Sequence, residues 1–320
     1  MHKAILLYNP LAGRRRKRRL ADVEAALTVL RAAGVEASSA ATHSGARAGE
    51  QAQEAIESGC DTVFACGGDG TIHDVLQGMV GTAAALAIIP LGTANSLAHD
   101  LRLPQNPALA ARVALTAPAH RIAVGKVNCL DFSGNQTSRY FLIVTGVGVD
   151  AHLFYALSAP LKQRVGMGAY YGKATHLWLS HRMESFLAEF REPNVDQPRR
   201  ILVSELLAVR IRNFGGILQE LAPGASLQRN DLRLVLFRTS NRFFYLLYVL
   251  KGLLRQKWNI RGIDLAHSDK ISCQCLPASL PRNGNPRVNS RIFVEADGEL
   301  LGTLPAEISV VPDALTLLIP

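Results

Sequence analysis

The part of the sequence that most constrains the fold is residues 61–72, where a short apolar run meets a glycine-rich turn. The apolar run at 62–65 predicts a buried strand, and apolar residues at helical spacing over 72–79 predict a helix after the turn. The turn consists of Gly67, Gly68, Asp69, Gly70 and Thr71. A strand–turn–helix unit of this kind brings backbone N–H groups close to phosphate oxygens. It also places Asp69 where a metal ion or a reacting hydroxyl group would lie.

Three turns in the first part of the chain each follow a predicted strand. These strands are predicted at 3–8, 62–65 and 86–89. Helical patterns separate them, and strands that alternate with helices predict a parallel α/β layer. Ligand sites in such sheets lie at the carboxyl ends of the strands. The turns at 9–13, 67–71 and 91–95 are therefore expected to converge at one edge of the sheet.

The character of the sequence changes near residue 120, where strand patterns begin to dominate. Val209 and Ile211 alternate with Arg210 and Arg212, which is typical of a half-exposed antiparallel strand. We predict an α/β nucleotide-binding domain and a mostly antiparallel β second domain. The predicted bounds are 1–122 and 123–303, with residues 304–320 packing back onto the first domain. Helices within the second region are predicted at 151–159, 168–190 and 241–255, and its last strands at 291–296, 307–311 and 315–319.

The charge of the chain favours an anionic partner. The formal net charge is +9 and the isoelectric point is about 9.6, which suits a nucleotide, a nucleic acid or an acidic membrane. Residues 14–19 are six consecutive basic residues. We expect no nucleic acid partner, since neither a defined nucleic-acid motif nor interleaved aromatic residues accompany them.

Cysteine usage and hydropathy predict a cytoplasmic protein that touches the inner face of the membrane peripherally. The five cysteines are scattered and do not form a disulfide framework. No signal peptide is recognised, and the longest apolar run, 243–250, ends at Lys251 and is too short to span a bilayer. This run belongs to an apolar helix with a basic rim, which fits a membrane-apposed helix and a core-packing helix equally well. An exposed strand edge in the second region leaves a homodimer open.

Five motifs in a fixed order resemble the diacylglycerol kinase catalytic family, which includes bacterial lipid kinases and the sphingosine and ceramide kinases. They start at Asn9, Gly67, Pro90, Gly146 and Asp297. The resemblance implies the NAD kinase/diacylglycerol kinase-like fold, with the site in the cleft between a nucleotide-binding domain and a lipid-binding domain. It further implies ATP and Mg²⁺ as cofactors and transfer of the γ-phosphoryl group to a lipid hydroxyl at a membrane surface. The alternatives are a soluble NAD kinase-like enzyme and a non-catalytic lipid- or nucleotide-binding protein.

The resemblance and the turn chemistry together assign candidate residues. The candidate nucleotide contacts are Asn9, Pro10, Gly13, Arg14, Thr42, Gly67, Gly68, Asp69, Gly70, Thr71, Gly92, Thr93 and Asn95. The resemblance implies Glu299 as the general base, with Asp297 as its partner or a metal contact, and Asp69 completes the catalytic set. Two structural alternatives stay open: Asp69 can cap the helix that starts near Thr71, and Asp-Gly at 297–298 is a strong hairpin signal.

Two positions depart from the pattern of the family. Ser96 stands where the family usually has an aspartate, which tilts the expected substrate toward sphingoid lipids. A structural Mg²⁺ site of bacterial relatives aligns with Leu227, Asn230, Asp231 and Leu232. Asn230 then replaces a ligand aspartate. An asparagine supplies an oxygen but no charge, so this site is expected to bind metal weakly.

Overall fold

The structure is a computed structural model, and it describes residues 1–10, 18–42, 45–148, 183–193, 195–215, 220–254, 259–276 and 291–320. Two of the predicted nucleotide contacts, Gly13 and Arg14, lie outside these residues. The predicted helix at 151–159 and most of the one at 168–190 lie outside them as well.

Six helices and fifteen strands are found in the described part of the chain. The helices are α1 (Arg19–Ala32), α2 (Gly45–Glu57), α3 (Asp69–Leu76), α4 (Ser96–Asp100), α5 (Pro107–Thr116) and α6 (Arg242–Leu253). The first nine strands are β1 (Lys3–Tyr8), β2 (Glu36–Ala41), β3 (Thr62–Gly67), β4 (Ala85–Pro90), β5 (Ala119–Leu130), β6 (Gln136–Phe141), β7 (Val144–Gly148), β8 (Phe186–Phe190) and β9 (Arg199–Val203). The remaining strands are β10 (Glu205–Val209), β11 (Leu232–Phe237), β12 (Ile263–Ser268), β13 (Lys270–Cys275), β14 (Phe293–Ala296) and β15 (Glu299–Leu318).

The predicted parallel layer is formed by four strands in the order β2-β1-β3-β4. Every residue of β3 and β4 is buried, as expected for parallel strands that are covered by helices on both faces. Tyr8 lies opposite both Ala41 and Cys66, and Gly67 lies opposite Pro90. The carboxyl ends of the four strands are therefore level, and the loops that follow them meet at one edge.

The rest of the sheet is mainly antiparallel, and the long strand β15 joins it to the parallel layer. β15 pairs with β14, β13 and β5 in antiparallel fashion, and its Thr316 and Leu317 pair in parallel with β4. The two strands predicted at 307–311 and 315–319 are therefore parts of one strand. β5 runs beside β15 through both layers, and the domain boundary predicted near residue 122 stays a prediction.

The predicted helix at 168–190 is wrong at its end, because residues 186–190 form β8. Phe186, Ala188 and Phe190 are buried while the two residues between them are only partly buried. This period of two suits a strand with one face on the core.

Candidate functional site

Three of the predicted nucleotide contacts lie at the ends of β1 and β2. Asn9 and Pro10 directly follow β1, and Thr42 directly follows β2. The backbone N–H of Thr42 donates to the carbonyl of Tyr8 at 2.9 Å, and its hydroxyl lies 3.4 Å from the same oxygen. These bonds hold Thr42 beside the turn that begins at Asn9.

The glycine turns after β3 and β4 touch each other directly. A β-carbon on Gly68 would lie 3.1 Å from the Cα of Gly92, and a β-carbon on Gly92 would overlap the backbone of Gly68. The side chain of Asn95 fixes the second turn, since its Oδ1 accepts the N–H of Gly92 at 2.9 Å. Asn95 has a left-handed φ of 51° and is buried. Glycine is thus required at 68 and 92 by the close approach of the two loops.

Gly67 and Gly70 have different surroundings within the same turn. A β-carbon on Gly67 would overlap the side chain of Thr71, so the buried Thr71 fills the space above Gly67. A β-carbon on Gly70 would meet only Oε1 of Glu299, at 3.6 Å. Among the glycines of the turn, Gly70 is therefore the one that faces Glu299.

Asp69, within the first glycine turn, caps the short helix α4 that follows the second. Its Oδ2 accepts the N–H of Ser96 at 3.0 Å, and its Oδ1 accepts the N–H of Leu97 at 3.2 Å. No side-chain cap is present at α3, whose first residue is Asp69 itself. The capping role considered for Asp69 is thus found, but at α4. Asp69 as a whole residue is only partly buried.

Asp297 and Gly298 form the two-residue turn between β14 and β15. Their φ angles are 49° and 85°, which fit a tight hairpin turn. The carboxylate of Asp297 accepts three consecutive backbone N–H groups, from Leu142 at 3.0 Å, Ile143 at 2.9 Å and Val144 at 3.0 Å. Both oxygens are thereby engaged, and the contact geometry makes Asp297 an anchor for the hairpin. Its roles as partner of the base or metal contact stay predictions.

Glu299 has the opposite environment from Asp297. In an extended strand the two side chains would lie on one side, but the left-handed φ of Asp297 breaks that alternation. Asp297 points inward with a side chain that is 2% exposed, whereas Glu299 is exposed. The Glu299 carboxylate therefore projects from the hairpin toward Gly70 at the edge of the parallel layer.

Two titratable residues of α3 that sequence reasoning missed lie beside these acids. Nδ1 of His73 lies 3.4 Å from Oδ2 of Asp297. Burial lowers the pKa of His73, but the hydrogen bond and charge of Asp297 outweigh it, so the net pKa is raised. Burial raises the pKa of Asp74 to about 6, and the charge of Glu299 adds to this while His73 opposes it. Their position one helical turn after Gly70 was the available signal.

A small cavity of about 270 Å³ lies next to the β4–α4 loop. Three predicted nucleotide contacts line it, Gly92, Thr93 and Asn95, and Asp22 and Gln105 contribute polar groups. Neither Asp69 nor Glu299 lines this cavity. It therefore adjoins the site without containing the acidic residues.

The four residues predicted to hold a structural metal ion lie elsewhere, around the start of β11. Leu227 and Leu232 are buried, and Asn230 is exposed. The carboxylate of Asp231 accepts the Nε–H of Arg229 at 2.7 Å and lies 3.3 Å from Nδ1 of His267. Within the described residues, no group of three or more His, Cys, Asp or Glu side chains is arranged to hold a metal ion.

Comparison with known proteins agrees with this arrangement. The family model for the diacylglycerol kinase catalytic domain matches residues 3–127. A diacylglycerol kinase of Staphylococcus saprophyticus is 30% identical over 242 residues, which cover 75% of this chain and 74% of that protein. The chain belongs to the diacylglycerol kinase catalytic family. A diacylglycerol kinase of Bacillus subtilis (strain 168) is 28% identical over 313 residues, covering 96% of this chain and 93% of that protein.

The fold of the diacylglycerol kinase family extends over the whole chain. A crystal structure of a diacylglycerol kinase from Bacillus anthracis str. Sterne matches with a TM-score of 0.68 at 19% identity. The match covers 100% of this chain and 97% of that one. The predicted fold class, an α/β layer with a mostly antiparallel second part, is thereby confirmed.

Proposed function

We propose that this chain is an ATP-dependent lipid kinase that transfers the γ-phosphoryl group of ATP to a lipid hydroxyl. The acceptor is a diacylglycerol or a lipid of the sphingoid or ceramide type. The observation that carries the proposal is the position of Glu299, an exposed carboxylate 3.6 Å from where a β-carbon of Gly70 would lie. Family membership supports the kinase reaction, and the names of the two relatives favour a diacylglycerol acceptor.

The edge of the parallel layer suits the phosphates of a nucleotide. The turn after Asn9 and the turn at 67–71 follow level strand ends, and the backbone N–H groups of such turns bind phosphate oxygens. In this proposal Thr42 and Thr93 contact the nucleotide from the ends of β2 and β4. Gly70 carries no side chain between this edge and Glu299.

Mg²⁺ fits this site as a partner of the nucleotide. Kinase sites bind Mg²⁺ through one or two carboxylates together with the phosphates, so a cage of three protein ligands is not required. Asp69 is the carboxylate that would hold the ion, because it is partly exposed in the first glycine turn, and its Oδ2 reaches the N–H of Ser96 after the second. The ion would neutralise the charge of the phosphates during transfer.

Glu299 would accept the proton of the lipid hydroxyl as that oxygen attacks phosphorus. A hydroxyl is hard to deprotonate at neutral pH, and a correctly placed carboxylate contributes about 10²–10⁴-fold to the rate. The hairpin holds Glu299 in place, since Asp297 at its tip is bound by three backbone N–H groups. A base at a fixed position beside the phosphate site is what in-line transfer needs.

We further propose that helix α6 places the protein on an anionic membrane. One face of α6 packs inward through the buried Tyr245 and Tyr248. The other face exposes four large apolar side chains at a spacing of three, four and four residues: Phe243, Leu246, Leu250 and Leu254. The core-packing interpretation fits the first face, and we assign the second face to the membrane. No helix in the described part of the chain is long and apolar enough to cross a bilayer.

The basic charge near α6 favours an anionic lipid bilayer as the partner of these four exposed apolar side chains. Arg242 begins α6, the sequence continues beyond the helix with Arg255 and Lys257, and the chain carries a net charge of +9. Basic residues near an acidic surface contribute about 1 kcal/mol each to membrane binding. Leu246→Glu/Leu250→Glu should weaken sedimentation with phosphatidylserine-containing vesicles, while Leu109→Glu, at an exposed leucine of α5, should not. Equal binding of both variants would contradict the membrane role of α6.

A purified-protein assay tests the proposed reaction. Labelled ATP is offered with diacylglycerol, sphingosine, ceramide and NAD in separate mixed-micelle reactions. Label in one of the lipids is expected. Label in NAD alone would contradict the lipid kinase proposal, and label in none of the four would favour a binding protein without catalysis.

A further inference from the structure

A buried arginine, Arg210, contacts residues of the predicted structural metal site. Alternation in the sequence predicted a solvent-facing Arg210, but the residue is 0% exposed and directly follows β10. We infer that the guanidinium of Arg210 occupies the position that the family pattern assigns to a structural Mg²⁺, and that this part of the protein folds without a metal ion.

The contacts of Arg210 include two of the four residues of the predicted metal site. Its Nη1 donates to the carbonyl oxygens of Arg229 at 2.7 Å and Asp231 at 2.8 Å. Its Nη2 donates to the carbonyl oxygens of Leu227 at 3.2 Å and Ala123 at 2.7 Å. Two of these four carbonyls belong to residues of the predicted metal site. Carbonyl oxygens are the groups that bind hard cations, and here they bind an organic cation.

The side chains around Arg210 do not offer Mg²⁺ a charged ligand. Asn230 is exposed and uncharged, in the position where the family has an aspartate. The Asp231 carboxylate is engaged by Arg229 and lies beside His267. A divalent cation among the same carbonyls would also lie next to the charge of Arg210, and like charges repel strongly at a buried site. The residues therefore do not fit the metal.

Arg210 keeps its charge at this position. Burial lowers its pKa to about 10, and the negative charge of Asp231 opposes the decrease. The guanidinium is therefore protonated at neutral pH. A fixed cation that binds four carbonyls can join the 227–231 segment to β5 permanently, whereas a bound ion would do so only when metal is available.

The first experiment measures thermal unfolding of the full chain without nucleotide or lipid. The melting temperature of the wild type should agree within about 1 °C between excess EDTA and millimolar Mg²⁺, since no bound ion is lost. A melting temperature that falls in EDTA and returns with Mg²⁺ would overturn the inference. Because no substrate is present, this result does not depend on the proposed kinase activity.

Two variants test the contacts of the guanidinium. Arg210→Met leaves four carbonyls without their donor, two of them fully buried and two partly buried, and should lower the melting temperature by about 5–10 °C. Arg212→Met is the matched control, because Arg212 lies two residues further on with a side chain that is 72% exposed. It should shift the melting temperature by less than about 2 °C. Equal melting temperatures for the two variants would overturn the inference.

A double variant tests whether the position can accept a metal. Arg210→Ala with Asn230→Asp empties the centre of the carbonyl cluster and restores the charged ligand of the family pattern. Mg²⁺ should raise its melting temperature by at least about 3 °C relative to EDTA. A folded double variant whose melting temperature is the same in Mg²⁺ and in EDTA would contradict the assignment of a cation position. If this variant does not fold, the chelation test on the wild type still decides the matter.

Discussion

The imidazole of His73 lies 3.4 Å from the carboxylate of Asp297, and the two side chains are only 4% and 2% exposed. His73 belongs to α3 of the parallel layer, and Asp297 is the tip of the hairpin that carries Glu299. The pair therefore joins the glycine turn to the proposed base. Its strength sets how firmly the two halves of the site are held together.

The pair predicts a pH dependence of stability. The charge and hydrogen bond of Asp297 raise the folded-state pKa of His73 above the ordinary 6.5, despite its burial. The stabilisation is therefore fully present below about pH 6.5 and is lost as pH rises through the raised pKa. In urea unfolding, His73→Gln should be less stable than wild type by about 1–3 kcal/mol at low pH, with a smaller difference at high pH. His120→Gln, at an exposed histidine, is the control and should not show this pH trend. A stability difference between wild type and His73→Gln that grows as pH rises would contradict the prediction.

Asp74 should destabilise the folded protein at neutral pH. Burial, with the charge of Glu299, raises its pKa from 3.8 to about 6, so the folded state resists ionisation of this group. Stability is then lost as pH rises from about 4 to 6, and the loss is complete above that range. Asp74→Asn should raise the free energy of unfolding by about 1–2 kcal/mol at neutral pH and leave it unchanged near pH 3.5. The exposed Asp196→Asn is the control, and a destabilised Asp74→Asn would show that the ionised form has favourable partners.

Two glycines of the site should respond differently to alanine. Gly92→Ala forces the two loops apart, because the new β-carbon overlaps the backbone of Gly68, and should cost about 1–3 kcal/mol of stability. Gly70→Ala has room for its β-carbon and lies in α3, where alanine is favoured by about 0.5–1 kcal/mol. Chemical denaturation distinguishes them. Gly70→Ala should nevertheless turn over more slowly, since the added carbon narrows the gap to Glu299. Equal stability losses would contradict the loop–loop contact.

The sequence predicted the strands of the parallel layer and the shared edge because buried parallel strands and glycine turns leave strong local patterns. The turns were assigned to phosphate, yet Gly68 and Gly92 are needed mainly for each other, and only coordinates bring those two backbones together. The hairpin at 297–298 was recognised from Asp-Gly. Its effect on Asp297 was not, because one sequence does not show that three backbone N–H groups, two from the β6–β7 link and one from the start of β7, meet around this carboxylate.

Arg210 and Asp74 show where pattern reasoning fails. Alternation with Val209 and Ile211 predicted a solvent-facing Arg210, but the strand ends at Val209 and the arginine turns into a cluster of carbonyls. In the sequence alone, Asp74 looks like an ordinary polar residue of a helix. Its raised pKa arises from burial next to a hairpin more than 200 residues later in the chain, which sequence spacing cannot encode.

Asp69→Asn separates the capping role from the catalytic role. Asparagine caps helices about as well as aspartate, so stability should change by less than about 1 kcal/mol. A contact with Mg²⁺ or the reacting hydroxyl needs the charge, so turnover should fall by about 10²-fold or more. Turnover and urea unfolding are measured on the same preparation. Near-normal turnover would show that Asp69 serves only to cap α4 through Ser96 and Leu97.

Glu299→Gln should abolish most turnover while leaving nucleotide binding intact. The amide keeps the size of the side chain but cannot accept the hydroxyl proton, so the rate should fall by about 10²–10⁴-fold. Calorimetry with a non-hydrolysable ATP analogue should give an unchanged affinity, because the proposed role of Glu299 is to accept the proton of the lipid hydroxyl and not to bind the nucleotide. Glu307→Gln, on the same strand and paired with Lys270 at 2.8 Å, is the matched control and should retain activity. If both variants turn over lipid at the wild-type rate, another group accepts the proton.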